Sequence, residues 1–234
     1  MTGGGSGIGR ATALALVGAG YDTVVVGRRL GELAATAAAV EAPAGAARCL
    51  PLAADLTTDE GLRRVREFVY DQYGHLDVLV NNAAVAAFGP LNEFSPESVS
   101  AHLELNVASV LKLTGALYDA LSVPGRAHVI NISSEQSLVP APNRSVYGAG
   151  KAALNYITRS LAAEFAPMGI RVNALLPGAV DTAMLRHATG GHAVGTPLGE
   201  GLRPADIAEW VLHLVRSWHT TGALITVDGG TSLS

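Results

Sequence analysis

Cysteine is almost missing from this 234-residue chain. Cys49 stands alone, so no internal disulfide forms, and its place in a predicted strand reads as a small buried thiol. Lysine is nearly as scarce: only Lys112 and Lys151 occur among 16 cationic residues, so neither is easily dismissed as generic surface charge. The net charge of −4 offers nothing to a phosphate backbone and argues against a nucleic-acid partner. No apolar run approaches the ~20 residues of a membrane span. No charged segment followed by an apolar stretch opens the chain as an export signal would. A soluble cytoplasmic protein with no membrane partner is the expectation. His75, His102, His128, His187, His192, His213 and His219 show no metal-ligand spacing, so no metal site is expected.

What is present is regular alternation. Thr23–Val26, Arg48–Leu52, Leu76–Val80, Ala127–Ile132, Ile170–Leu175 and Leu224–Val227 are short apolar runs, as parallel strands buried on both faces require. Between them lie stretches of helical length: Asp59–Tyr73, Pro96–Leu121, Val146–Phe165 and Pro204–Ser217. Ser95-Pro96 and Arg203-Pro204 set proline where a first helical turn tolerates it. The Ala-rich stretch Ala34–Ala47 reads as a helix with a turn at Pro43 and Gly45. No linker or repeat interrupts the pattern. The expectation is one domain over residues 1–234, an α/β fold of Rossmann type whose doubly wound parallel sheet lies between two helical layers.

The chain opens Thr2-Gly3-Gly4-Gly5-Ser6-Gly7-Ile8-Gly9, followed by an alanine-rich helix, Arg10–Ala19, and then a strand. Glycines permit a tight turn and bring backbone N–H groups close to a pyrophosphate, which the positive end of the next helix also favours. No Lys-Ser/Thr follows, so this is not a nucleoside-triphosphate loop. The Thr-Gly-x-x-x-Gly-Ile-Gly pattern resembles the cofactor motif of the short-chain dehydrogenase/reductases, single-domain enzymes of roughly 250 residues, and the resemblance runs through the whole chain.

That resemblance implies a set of roles. Gly3, Gly5, Ser6, Gly7, Ile8 and Gly9 would hold the dinucleotide, and Asp55-Leu56 resembles the pair that contacts adenine. Asn81-Asn82-Ala83 resembles the segment supporting the cofactor, with Ala84 where glycine is usual. Pro177-Gly178-x-Val180-x-Thr182 resembles the nicotinamide-side loop, and Asp228-Gly229-Gly230 a C-terminal signature. Asn106, Ser134, Tyr147 and Lys151 match the catalytic tetrad, which implies hydride transfer between NAD(P)(H) and a carbonyl or alcohol substrate. A homodimer or homotetramer packed partly through the two long helices is also implied.

The chemistry of the tetrad can be argued from the residues. Tyr147 and Lys151 lie four apart on a predicted helix and share a face. With six tyrosines and two lysines in the chain, such a match arises by chance about 0.05 times. A tyrosine of ordinary pKa transfers protons poorly at neutral pH, and a nearby ammonium, together with the positive charge of oxidised nicotinamide, should lower that value. Ser134 follows a strand end, where parallel sheets face their ligand. It lacks the Gly-x-Ser-x-Gly context of a hydrolase nucleophile. Asn106 is open to two readings: support for a proton-supplying water path, or a bridge between backbone groups at a helix bend. Gly148 and Gly150, between Tyr147 and Lys151, each cost about 1 kcal/mol against alanine and call for a packing reason.

Three further expectations follow. After Val24-Val25-Val26 the acid that would bind a ribose 2′-hydroxyl is absent, Gly27 takes its place, and Arg28 and Arg29 follow. This points to NADP over NAD. Residues Ala183–Arg203, rich in glycine, are expected to form a mobile lid over the substrate. Finally, the resemblance implies an apolar strand before Thr2, where this sequence has Met1. That strand would be central, so its two neighbours are expected to lie unpaired along their inner edges. A start further upstream or a piece of a longer chain is preferred to a compromised protein. The compromised case keeps a rival open, a dinucleotide-binding protein without useful turnover.

Overall fold

Each of the six apolar runs forms a strand in the computed structural model, which describes residues 1–40, 47–188, 190–191 and 194–233. The strands are β1 (Thr23–Gly27), β2 (Cys49–Ala53), β3 (Val78–Asn81), β4 (His128–Ile132), β5 (Arg171–Pro177) and β6 (Leu224–Val227), and every pairing is parallel. Parallel neighbours require crossovers, which the helices supply: α1 (Gly7–Gly18), α2 (Leu30–Ala38), α3 (Asp59–Gln72), α4 (Pro96–Leu103), α5 (Ser109–Ala116), α6 (Tyr118–Ser122), α7 (Ser145–Phe165), α8 (Ala183–Ala188) and α9 (Pro204–Arg216). Local chemistry starts several of them. Thr58 Oγ1 accepts from Gly61 N at 3.0 Å ahead of Asp59 and Glu60, and Ser95 Oγ accepts from Ser98 N at 3.2 Å ahead of Pro96.

Strand side chains alternate between two apolar layers. Val129 and Val172 pack with Leu62 and Val65 of α3, Leu113 of α5 and Phe165 of α7. Ile130, Ile132 and Leu175 pack with Leu16 of α1 and Ile207, Val211 and Leu214 of α9. Helices therefore cover both faces, which gives the expected three-layer, Rossmann-type arrangement.

The sheet is divided. β1 and β2 form one ladder, and β3-β4-β5-β6 form the other. Between the inner edges of β1 and β3 runs only Met1–Thr2. The Met1 amine donates to Val24 O at 2.9 Å, Val26 N donates to Met1 O at 2.9 Å, and Thr2 N donates to Val80 O at 3.0 Å. Met1 and Thr2 thus bond to both neighbours as the last residues of a central strand would.

Other expectations need correction. The helix assigned to Arg10–Ala19 begins at Gly7, and the one within Ala34–Ala47 runs instead from Leu30 to Ala38. The single helix expected over Pro96–Leu121 is broken by a π-helical turn at Glu104–Ala108 and a second interruption at Leu117. The π turn has a cause: Asn106 Oδ1 accepts from Val85 N and its Nδ2 donates to Val85 O, both at 2.9 Å, which holds the helix against a neighbouring loop. Cys49 is half-buried rather than buried. The turn expected at Pro43 and Gly45, and His192, lie outside the described residues.

Burial pulls the Met1 amine down to about 6 from an ordinary 8.0. The unfolded chain therefore holds more protons between pH 6 and 8, and stability rises with pH across that window, by on the order of 2 kcal/mol for this group. Thermal denaturation should show this as a rise in Tm from pH 6 to 8. Adding a short Val/Ala segment before Met1 converts the amine to an amide and should remove that part of the slope while raising Tm. An unchanged slope would show that the amine does not govern it.

Candidate active site

The C-terminal ends of the strands and the turns that follow them surround a cavity of about 760 Å³. Every site residue expected from the sequence lines it except Asn106 and Asn81, the latter being buried against Asn131 and Thr114. Asn106 is buried nearby, but both ends of its side-chain amide are taken by Val85, so the backbone-bridging reading describes that side chain.

At one end of the cavity the glycine turn passes over the sheet. Gly3 has φ 65°, and a Cβ on Gly9 would lie 2.1 Å from Gly3 O, so the first turn of α1 crosses the preceding loop in backbone contact. Thr2 ties this turn down: its Oγ1 accepts from Asn82 N at 2.9 Å and Ala83 N at 3.0 Å, while Asn82 Nδ2 donates back to Thr2 O at 3.0 Å. Ser6 begins α1 in extended conformation and its hydroxyl takes no bond from the first turn, which carries no acidic side chain. An uncapped, acid-free helix start facing a cavity fits a pyrophosphate.

Where the adenosine end would lie, Arg28 is exposed at the end of β1 and forms no ion pair among the described residues. Arg29 differs, being paired with Glu32 at 2.8 Å. Asp55 is held below the ordinary carboxylate range, chiefly by the Thr57 N–H and hydroxyl. Glu32 lines the same region, a carboxylate that reasoning from position 27 did not reach because it comes from the next helix.

The opposite end holds Ser134, Tyr147 and Lys151. Ser134 starts a 3₁₀ turn (Glu135–Ser137) after β4, and its Oγ accepts from Gln136 N at 3.2 Å. Lys151 is buried and donates from Nζ to Ile132 O at 2.7 Å, with Nζ 5.7 Å from the Tyr147 ring centre. Ser133 Oγ donates to Lys151 O at 3.1 Å, and Asn155 Nδ2 donates to Ser137 Oγ at 2.7 Å, so α7 and the end of β4 are cross-bonded three times. Burial pulls the Lys151 ammonium down to about 8.

The Lys151 ammonium, expected to help lower the Tyr147 phenol, is not among the influences on it: burial pushes the phenol up, Ser134 and Arg144 oppose that shift, and Glu135 adds to it. Lys151 spends its nearest N–H on Ile132 and does not enter the balance.

Several residues here were not foreseen. Glu135 is buried, its Oε2 has no partner, and burial together with Asp228 raises its pKa. A Cβ on Gly178 would meet that Oε2 and the Asp228 Cα, each at 2.9 Å, so the loop after β5 needs glycine there. Phe88 and Arg144 close the wall beside Tyr147. Glu135 was within reach as the residue next to Ser134; nothing around Phe88 marked it.

A family comparison agrees with this geometry: the short chain dehydrogenase model matches residues 1–192. The chain belongs to the short chain dehydrogenase family. L-xylulose reductase of Mesocricetus auratus is 34% identical over 239 residues, covering 98% of this chain and 94% of that one. The 3-ketoacyl-(acyl-carrier-protein) reductase of Brucella melitensis, solved with NADH, superposes with a TM-score of 0.89 at 29% identity over 99% of this chain and 96% of that one. The L-sorbose reductase of Gluconobacter frateurii, solved with NADPH and L-sorbose, gives 0.90 at 29% identity over 100% and 95%. This short chain dehydrogenase is an NAD(P)-dependent oxidoreductase acting on CH–OH or C=O groups. No helix among its described residues is long and apolar enough to cross a membrane.

The two helix glycines make a paired test. A Cβ on Gly148 would lie 3.1 Å from Gln136 O, whereas on Gly150 it would meet Asn106 and Val107 side chains at 3.6 and 3.8 Å. Gly148→Ala should push away the turn that carries Ser134 and lower turnover roughly tenfold. Gly150→Ala should raise stability by about 1 kcal/mol in denaturant titration. Equal effects of the two would show that the Gly148 contact has no bearing on Ser134.

Proposed function

We propose that the chain reduces a carbonyl, or oxidises the matching alcohol, through Ser134, Tyr147 and Lys151. The observation that supports this most is their convergence at one end of a cavity whose other end is an uncapped, glycine-lined helix start. The cofactor, when bound, supplies or takes the hydride. Ser134 Oγ hydrogen-bonds the substrate oxygen, and Tyr147 gives that oxygen its proton. Burial keeps Tyr147 a neutral phenol at neutral pH, the form a proton donor needs, which favours the reducing direction. Lys151, anchored by Ile132, has two further N–H bonds with which to grip the nicotinamide ribose. The Asn106 side chain holds the π turn in place, so any proton path at that position runs past main-chain groups rather than its amide.

The remaining assignments complete the reading. Gly3, Gly5, Ser6, Gly7, Ile8 and Gly9 cradle the pyrophosphate, and Asp55, Leu56, Asn82 and Ala83 flank the adenosine side. Pro177, Gly178, Val180 and Thr182 hold the nicotinamide side. NADP is the preferred form, since Arg28 beside the end of β1 forms no ion pair among the described residues, Asp55 feeling its charge only at a distance, while Arg29 is tied to Glu32. Met184, Leu185 and His187, on the short helix α8, line the cavity and belong to a substrate lid over 183–203 within one domain. Exposed Leu103, Leu111 and Tyr156 on α4, α5 and α7 support a homo-oligomer packed through those helices.

Two measurements test the reading. Tyr147→Phe keeps the ring and removes the proton, so carbonyl reduction should fall about 10²–10⁴-fold with folding intact; near-normal turnover would remove the assignment. Arg28→Ala should lower kcat/KM with NADPH by about tenfold or more while leaving NADH nearly unaffected. A strong native preference for NADH would overturn the NADP choice.

A further inference from the structure

Arg144 is the most conspicuous charge in the cavity that the hydride-transfer roles leave unused. It directly precedes α7, three residues before Tyr147, and its charge acts on the Tyr147 phenol. Its guanidinium carbon lies 3.5 Å from the centre of the Phe88 ring, and Phe88 in turn meets the Tyr147 ring edge-on with centres 5.5 Å apart. The position is built rather than incidental. Asn143, just before it, adopts the left-handed conformation with φ 64°, the only described non-glycine residue to do so, and Asn143 O accepts from Gly89 N at 3.1 Å. That bond joins the Phe88 loop to the Arg144 loop and sets ring against guanidinium.

No counter-ion accompanies the charge. Among the described residues Arg144 forms no ion pair and no side-chain hydrogen bond; Nη1 is closed off from solvent with no acceptor, and the rest of the side chain lines the cavity. Burial already works against its charge, and the positive end of α7 beside it gives no relief. Glu135, the nearest buried acid of the wall, is directed at Gly178 and Asp228 and does not neutralise it.

We propose that Arg144 is a specificity residue that receives a carboxylate of the substrate, so that the enzyme acts on oxo acids and the corresponding hydroxy acids. This rests on the hydride-transfer reading above, since it places the carboxylate relative to a carbonyl held by Tyr147 and Ser134. The guanidinium and the Tyr147 ring lie 3.5 and 5.5 Å from the same Phe88 ring centre, so the carboxylate and the reacting carbon are a few bonds apart, as in 2-, 3- and 4-oxo acids. A planar guanidinium braced on an aromatic face pairs with a carboxylate through two parallel hydrogen bonds, geometry that a lysine does not reproduce.

The test compares pyruvate, 3-oxobutanoate and 4-oxopentanoate with their methyl esters, using NADPH and NADH, on the full chain and on Arg144→Leu and Arg144→Lys. At least one acid should exceed its ester in kcat/KM by tenfold or more in the native enzyme. Arg144→Leu should erase that ratio, and Arg144→Lys should restore only part of it. Native esters matching their acids, or a ratio that survives Arg144→Leu, would overturn the proposal. If neither acids nor esters are reduced, the hydride-transfer reading fails for this panel. Calorimetry with butanoate and butanamide then decides Arg144 by itself. Butanoate binding tenfold tighter than butanamide and lost in Arg144→Leu supports it, and equal binding of the two sinks it.

Discussion

The bond from Lys151 Nζ to the Ile132 carbonyl, 2.7 Å long and buried, joins the longest helix among the described residues to the end of a strand buried along its whole length. Ser133 Oγ returns a bond to the Lys151 carbonyl, and Asn155 reaches Ser137 one helical turn further on. Together they fix where α7 passes the turn that carries Ser134. Gly148 follows from the same constraint, because a helix drawn this close to Gln136 O has little room for a methyl group. Gly150 is not held to the same constraint: on the side of the π turn a methyl group would meet Asn106 and Val107 at ordinary contact distances.

Burial is the dominant electrostatic influence around this joint. It lowers the Lys151 ammonium, raises the Tyr147 phenol and raises the Glu135 carboxyl, in each case favouring the neutral form. At the phenol burial is opposed first by the Ser134 hydroxyl and then by Arg144, while Glu135 works in the same direction as burial. A site of this kind responds strongly to what enters it, since a dry wall screens little.

Much of this was legible beforehand, for identifiable reasons. Parallel strands buried on both faces must be continuously apolar, and all six showed as runs whose edges moved by at most two residues in the structure. Tyr147 and Lys151 were visible because helical spacing is short-range and lysine is rare here. The break within Pro96–Leu121 was not visible, since it depends on Asn106 bonding Val85, a contact 21 residues away. That Lys151 has no hand in the Tyr147 balance was not visible for a related reason: spacing along α7 brings Lys151 near, but only the tertiary fold shows its N–H engaged by Ile132. Arg144 and Phe88 come from separate loops, and no local pattern joins them.

The divided sheet has a consequence for how binding and rigidity are connected. The loops beside Arg28 and Asp55 hang from β1 and β2, whereas Ser134, Tyr147 and Lys151 hang from β4 and α7, and among the described residues the hydrogen bonds that join the two ladders run through Met1–Gly4. A dinucleotide stretched from Arg28 to Thr182 would span that seam like a splint. Occupancy would then be coupled to the cohesion of the two halves, so that affinity for the cofactor and resistance to unfolding rise and fall together.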